Sequence, residues 1–313
     1  MGKQQKSSTK SNRNKIIIVG IGIAIIVIGV AATIGMKNSV PPTESDSRIV
    51  YWKHIHGLGI DPADRNILYI ATHGDFYQSK DGGPPLKVDK IRADYMAFNA
   101  PTNIGIPLYA SGHPSTGGNT GLIKSTDGGK TWESVAKVLE PPVDFHAMTV
   151  SKSDPNVIIG FDSGGRGLFK TADAGKTWET LEYPEYVSSL TISPHDSQIV
   201  FAGTGKGIFQ SNDGARSWLQ LDQYKGINIL ALSFDEQGIL YASTSTFGLS
   251  RSSDLGKTWE KINSSDLTIT SMAVDSQNKI IYVAGYSSDG FQEVYKSSDD
   301  GYSWQLVGTN REP

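Results

Sequence analysis

Five of the six histidines in this chain of 313 residues lie in its first half, and several aspartates accompany them. The histidines are His54, His56, His73, His113 and His146, and the aspartates are Asp75, Asp94, Asp144 and Asp162. Imidazole and carboxylate groups bind ions such as Zn, Cu, Fe and Mn, and pairs of carboxyl groups catalyse glycoside hydrolysis. Because the chain has no cysteine, thiolate metal sites, disulfide scaffolds and thiol nucleophiles are excluded.

The elements that must position these residues belong to an internal repeat. The motif Ser/Thr-x-Asp-x-Gly-x-Ser/Thr-Trp is complete at 125–132, 171–178, 252–259 and 297–304. A copy at 211–218 has Ala215 in place of the glycine, and a copy at 79–83 lacks the Thr-Trp. The motif aspartates, spaced by 46, 46, 40, 41 and 45 residues, are Asp81, Asp127, Asp173, Asp213, Asp254 and Asp299.

This motif resembles the Asp box of the sialidase-like (BNR) propellers, a superfamily that includes sialidases, sortilin-type receptors and a photosystem II assembly factor. The segments His54-Ile-His56-Gly-Leu58 and Leu68-Tyr-Ile-Ala-Thr-His73-Gly are also similar to prokaryotic Asp-box proteins that are labelled glycosyl hydrolases. Because the superfamily includes both enzymes and binding proteins, the resemblance does not decide whether this chain is an enzyme.

Each repeat has the pattern of four short strands. In the third repeat these are 147–150, 157–161, 167–171 and a strand that starts at Trp178. Six such units predict an all-β fold, a monomeric β-propeller of six four-stranded blades over residues 49–313. Residues 48–53 are a candidate extra strand for the last blade. The motif aspartates are expected to be structural, since a carboxylate and a hydroxyl group can satisfy backbone N–H groups of a tight turn.

Strand direction predicts which loops share a face of the propeller. The start of strand 1, the end of strand 2 and the start of strand 3 lie on one face, which we call the upper face, opposite the Asp boxes. When the first strands of the six blades are aligned on their apolar pairs, each blade has one polar residue that should face the central channel. These residues are His56, Asp94, His146, Ser188, Asn228 and Thr270.

This alignment predicts a metal site formed by His56, Asp94 and His146, with a divalent transition-metal ion as the candidate cofactor. A non-metal ligand site is the alternative. It would use the five upper-face histidines together with Arg92 and Arg166.

A third hypothesis is a glycoside hydrolase in which Asp94 and Asp162 are the catalytic carboxyl groups. A typical sialidase is not expected, because the Arg-Ile-Pro segment that usually precedes the first Asp box is absent. Whether the protein is an enzyme therefore stays open at this point.

The N-terminal residues resemble a membrane anchor. Residues 1–15 carry five positive charges and predict a cytoplasmic tail, and residues 16–36 carry no charge and are long enough to span a bilayer. Cleavage near Ala31 and Ala32 is the alternative, and residues 37–48 form a polar linker. Residues 44–313 hold 23 basic and 32 acidic residues, a net charge of −9 that argues against nucleic acid as a partner.

The sequence thus predicts a membrane-anchored, extracytoplasmic propeller that binds a ligand, a metal ion or a protein partner at a histidine-rich upper face. Carbohydrate is one candidate ligand. The alternatives are a glycoside hydrolase of the Asp-box type and an assembly or stability factor for a membrane complex.

Overall fold

A computed structural model describes residues 48–311, except residue 102 and residues 263–265. The predicted cytoplasmic tail (1–15), the predicted membrane span (16–36) and all of the predicted linker except Arg48 lie outside the described residues. Over the described ranges, no helix is long and apolar enough to cross a membrane.

The described chain forms six antiparallel sheets of four strands each. Blades 1 to 3 contain β1 Ile55–Ile60, β2 Ile67–Thr72, β3 Phe76–Lys80, β4 Leu86–Lys87, β5 Ala93–Asn99, β6 Leu108–Pro114, β7 Leu122–Ser125, β8 Glu133–Ala136, β9 Phe145–Val150, β10 Ile158–Asp162, β11 Leu168–Thr171 and β12 Glu179–Leu181. Blades 4 to 6 contain β13 Val187–Ile192, β14 Val200–Thr204, β15 Gly207–Ser211, β16 Leu219–Gln220, β17 Ile229–Phe234, β18 Leu240–Thr244, β19 Gly248–Ser252, β20 Glu260–Lys261, β21 Thr268–Asp275, β22 Ile280–Tyr286, β23 Gln292–Ser297 and β24 Gln305–Thr309. Two short 3-10 helices, Asp222–Tyr224 and Ser276–Asn278, lie in connections.

The first strands of the blades form the centre of a ring. Strands β1, β5, β9, β13, β17 and β21 contact one another in that order, and β21 contacts β1. They enclose a central channel of about 190 Å³. The predicted all-β propeller of six four-stranded blades is therefore confirmed.

The hydrophobic core is divided into six clusters, and each cluster lies between two neighbouring blades. The core is divided in this way because each blade packs against a neighbouring blade on each of its two faces. Both faces of a blade must therefore carry apolar side chains. Five clusters contain the tryptophan of one repeat motif: Trp132, Trp178, Trp218, Trp259 and Trp304.

Trp52 takes the corresponding place in the sixth cluster, between blades 6 and 1. It is 3% exposed, its ring lies edge-on to Tyr77 at 5.9 Å, and its indole N–H donates to the carbonyl of Gln292 at 3.2 Å. The motif copy in blade 1 lacks its tryptophan, and a residue upstream of the first strand fills that place.

The motif turns are held by their own polar side chains. In the second copy, the Ser125 hydroxyl donates to Asp127 at 2.9 Å and accepts from the N–H of Gly129 at 2.9 Å. Asp127 also accepts from the backbone and the hydroxyl of Thr131, at 2.9 and 2.7 Å. The same bonds recur around Asp173, Asp213, Asp254 and Asp299. In the copy that contains Asp81, the Ser79 hydroxyl donates instead to the carbonyl of Gly83.

The ring is closed by the N-terminal end of the described chain. Ile49 forms a parallel bridge with Thr309 in β24, the outermost strand of blade 6. The N–H of Val50 donates to the carbonyl of Thr309, and the N–H of Thr309 donates to the carbonyl of Arg48, at 2.8 and 2.9 Å. The predicted extra strand is thus present as a short pairing at the edge of the last blade.

Candidate functional site

The upper face brings together histidines and aspartates of blades 1 to 3. Their places are His56 in β1, Asp94 in β5, His113 in β6 and His146 in β9, with His73 directly after β2 and Asp144 directly before β9. The sixth histidine, His195, lies on the opposite face between β13 and β14, where its Nε2 is 3.1 Å from the carbonyl oxygen of Gln237.

Two of these histidines lie in bulges of the innermost strands. The pairing of β1 with β2 passes over His56, between Ile55 and Gly57, and the pairing of β9 with β10 passes over His146 in the same way. A bulge turns a side chain out of the regular alternation of a strand. Both side chains line the central channel, together with Ser188 and Thr270, as the alignment predicts.

Asp94 lies two positions before the place at which the alignment puts it. It directly precedes Tyr95, which pairs with the end of β6. Asp144 likewise precedes Phe145, which pairs with the last residue of β10. Asp94 therefore corresponds to Asp144 in the next blade, and not to His146.

The predicted alignment of blade 5 is wrong by the same two residues. The bulge of β17 falls at Leu230, between Ile229 and Ala231, and not at Asn228. Apolar residues of a strand recur every second position, so an apolar pair fits two registers that differ by two residues.

His56, His73 and Asp94 form what we call the first cluster. Nε2 of His56 lies 2.9 Å from Oδ1 of Asp94, and Nδ1 of His73 lies 2.7 Å from Oδ2 of the same carboxylate. The backbones of His73 and Asp94 also form an isolated bridge, which joins blade 1 to blade 2. The candidate ligand atoms lie within 4.8 Å of one another.

The first cluster contains two buried atoms whose polarity is not satisfied. The side chains of His56 and Asp94 are each 10% exposed, yet Nε2 of His56 and Oδ1 of Asp94 make no well-directed hydrogen bond. Burial favours the neutral acid, but the direct contact with His56, followed by the charges of His56, His73 and His113, outweighs burial and lowers the pKa of Asp94. The cluster therefore offers an ionised carboxylate beside imidazole nitrogens.

His54 lies beside the first cluster and is held from blade 6. Its ring centroid is 4.6 Å from that of His56. Its Nδ1 is 2.5 Å from the hydroxyl of Tyr286 and 3.3 Å from Nε2 of Gln292. Burial, followed by the charges of His56 and other histidines, lowers the pKa of His54, so its ring is held neutral.

His113, Asp144 and His146 form what we call the second cluster. Oδ2 of Asp144 lies 3.0 Å from Nε2 of His146 and 3.4 Å from Nε2 of His113. The side chain of Asp144 is 11% exposed, whereas those of His113 and His146 are 37% and 39% exposed. The second cluster joins blade 2 to blade 3, and both of its histidines are partly exposed to solvent.

The predicted trio of His56, Asp94 and His146 is divided between the two clusters. His56 and Asp94 are in contact, whereas His146 contacts Asp144. The two clusters are adjacent, because Asp94 of the first is the pairing partner of His113 of the second across β5 and β6.

Asp162, a candidate catalytic acid, is fully buried and bound by Arg166. The guanidinium donates to both carboxylate oxygens, at 3.0 and 2.6 Å, and the N–H of Asp144 donates to Asp162 at 2.9 Å. Arg166 also donates to the carbonyl groups of Pro141 and Pro142, at 2.8 and 3.0 Å. These contacts fix the loop that carries Asp144.

Arg92, the other candidate binding arginine, is 64% exposed at the rim of the upper face. Its Nε lies 3.4 Å from Asp75 and 3.3 Å from the carbonyl of Gly74. Lys87 also donates to Asp75. Arg92 remains accessible to a ligand, but it is not in contact with either cluster.

Two contributors to the second cluster were not predicted from the sequence. The Ser163 hydroxyl donates to Oδ2 of Asp144 at 2.7 Å, and the carbonyl of Gly118 lies 3.1 Å from Nδ1 of His113. The available signal was the position of Ser163 at the end of strand 2, which aligns with the positions of His73 and His113 in their blades.

The fold is similar to those of several solved structures. A GH74 enzyme from Niastella koreensis has a TM-score of 0.62 and 16% identity, over 83% of this chain and 46% of that one. A GH74 xyloglucanase from Xanthomonas campestris has a TM-score of 0.58 with the same identity and coverage. YCF48, in a structure with a D1 peptide bound, has a TM-score of 0.52 and 17% identity over 83% of both chains.

This chain therefore matches less than half the length of either GH74 enzyme. No protein-family model and no curated protein sequence matches it. Because the sequence identities are below one fifth, these structures establish only that this chain shares their fold, a β-propeller.

Proposed function

We propose that the protein binds a divalent transition-metal ion at the first cluster and presents it on the upper face. The observation that carries this proposal is the pair of buried atoms, Nε2 of His56 and Oδ1 of Asp94, which lie 2.9 Å apart without a well-directed hydrogen bond. A buried polar atom without a partner costs about 1–3 kcal/mol, and a bound cation would satisfy both atoms at once.

The chemistry of the ligand set supports a transition metal over calcium or magnesium. Two imidazole nitrogens and one carboxylate suit Zn, Fe, Co or Cu, whereas Ca²⁺ and Mg²⁺ prefer oxygen ligands. Three protein ligands leave coordination positions open. His73, with a side chain that is 52% exposed, marks the side from which an outside ligand would approach.

We also propose that residues 16–36 anchor the propeller to a membrane, with the upper face in an extracytoplasmic compartment. This part of the proposal rests on the uncharged apolar segment and its basic flank.

The contacts of Asp162 weaken the hydrolase alternative. Hydrolysis requires two carboxyl groups that are free to act on one substrate, and both oxygens of Asp162 accept from Arg166. The likeness to GH74 enzymes supports the fold of such an enzyme rather than its active site.

The test is the metal content of the full-length chain, purified without a histidine tag and measured by elemental mass spectrometry. We expect bound metal in the wild type, and an affinity at least about tenfold weaker in His73→Ala and Asp94→Asn. His195→Ala removes a histidine from the opposite face and is the matched control. The proposal fails if the wild type binds no metal, or if His73→Ala and His195→Ala bind it equally well.

A further inference from the structure

The first and second clusters repeat one arrangement in successive blades. In each, a histidine at the end of strand 2 of one blade faces an aspartate at the start of the first strand of the next. These pairs are His73 with Asp94, and His113 with Asp144. A second histidine completes each cluster, but His56 comes from the first of its two blades and His146 from the second.

The tautomer of His113 directs a lone pair at the carboxylate. Its Nδ1 is 3.1 Å from the carbonyl of Gly118, which can only accept, so the ring proton is assigned to Nδ1. In the neutral ring, Nε2 then carries a lone pair that faces Oδ2 of Asp144 at 3.4 Å. A cation bound by both of these electron-rich atoms would remove the repulsion between them. A backbone carbonyl that orients the far nitrogen is also typical of histidines that bind metal.

Asp144 is held in place as an ionised acceptor. Oδ2 accepts the hydroxyl of Ser163, whose own N–H donates to the carbonyl of Asp144 at 2.8 Å. Oδ1 is buried and has no hydrogen-bond partner. Burial opposes ionisation, but contacts with His146 and Ser163 lower the pKa of Asp144.

We propose that His113, Asp144 and His146 form a second, separate site for a divalent transition-metal ion. Its two histidines are 37% and 39% exposed, whereas His56 of the first cluster is 10% exposed, so both histidine ligands of this site are reached from solvent. An ion here would accept a small anion in an open coordination position. The inference shares its metal chemistry with the proposed function but rests on different residues.

The experiment is a titration of the metal-free full-length chain with Zn²⁺, followed by binding stoichiometry, on four proteins. These are the wild type, His113→Ala, His146→Ala and His73→Ala. Circular dichroism and thermal unfolding establish that each variant is folded. Because the number of Zn²⁺ equivalents bound by the wild type is measured directly, the number of sites does not depend on whether any one variant folds. A Co²⁺ titration with added azide then reports an open coordination position through its visible absorption.

We expect two equivalents of Zn²⁺ in the wild type and one in each of the three variants. The azide-dependent change of the Co²⁺ spectrum should persist in His73→Ala, because that variant leaves the second cluster intact. One equivalent that only His73→Ala removes would overturn the second site and leave the proposed function intact. One equivalent that every variant removes would indicate a single shared ion and overturn a separate site. No bound metal in the wild type would overturn both proposals.

Discussion

His73 and His113 occupy the same place in successive blades, at the end of the second strand, and each faces an aspartate of the following blade. Ser163 has this place in blade 3, but its hydroxyl turns back to Asp144 of its own blade. The repeat thus supplies two histidine–aspartate pairs, followed by a serine that supports the second pair.

This relationship predicts the effect of removing the serine hydroxyl. Ser163→Ala should weaken metal binding at the second cluster by about 10–100-fold, because outer hydrogen bonds orient ligating carboxylates. Binding at the first cluster should stay within about twofold. Titration calorimetry on Ser163→Ala and on the matched control Ser188→Ala would measure both. Equal weakening at both clusters would contradict a local role for the hydroxyl.

A second prediction concerns the closure of the ring. Trp52→Ala should destabilise the fold by about 3–5 kcal/mol, because it leaves a cavity between blades 6 and 1. The adjacent Tyr51 is 77% exposed, and Tyr51→Ala should change the free energy of unfolding by less than about 0.5 kcal/mol. Urea unfolding of both variants tests this. Similar midpoints for the two would show that Trp52 contributes little to closure.

A third prediction separates backbone strain from packing between blades. Gly129 and Gly117 have nearly the same positive φ, 86° and 87°. A methyl group at Gly129 would lie 2.2 Å from Phe76 of the preceding blade, whereas nothing lies within 4 Å of one at Gly117. Gly129→Ala should therefore cost about 1–3 kcal/mol more than Gly117→Ala, since the backbone penalty is common to both. Thermal unfolding of the pair gives the difference directly.

A fourth prediction concerns acid stability. Hydrogen bonds from Thr258, first from its hydroxyl and then from its N–H, lower the pKa of Asp254 from 3.8 to about 2. The folded chain therefore binds this proton less readily than the unfolded chain does. The resulting stability is complete above about pH 4 and is lost as the pH falls through 2.

Asp254→Asn should accordingly lower stability at pH 7 and flatten its decline between pH 4 and pH 2. Denaturant unfolding at a series of pH values measures both effects. Thr258→Val, which removes only the hydroxyl donor, should produce a smaller change of the same sign. A pH profile for Asp254→Asn that is parallel to the wild type would rule out this linkage.

The sequence predicted the strands of the blades closely because their turns are marked by residues with strong local preferences. In the third repeat, the predicted strand 147–150 is observed as Phe145–Val150, and the predicted strand 167–171 as Leu168–Thr171. Asp, Gly and Pro in the turns fix these ends within two residues.

The candidate site was predicted less completely. The residue types of the site and the face on which it lies were evident from the sequence. The positions of Asp94 and Asn228 depended on the strand register, and the alternation of apolar residues fits two registers that differ by two residues. The substitution of Trp52 for a motif tryptophan and the support from Ser163 were not apparent either. Both depend on contacts between segments whose proximity in the fold is not indicated by any local sequence pattern.

The pairing of Ile49 with Thr309 has a consequence for the order in which the protein is made. The first described strand segment leaves the ribosome before any blade, whereas its partner in β24 leaves after the other twenty-three described strands. The growing chain must carry an unpaired segment and an open arc of blades until β24 has been synthesised. A ribosome that stalls before β24 would release a chain whose arc of blades cannot close, a natural substrate for chaperones and quality-control proteases.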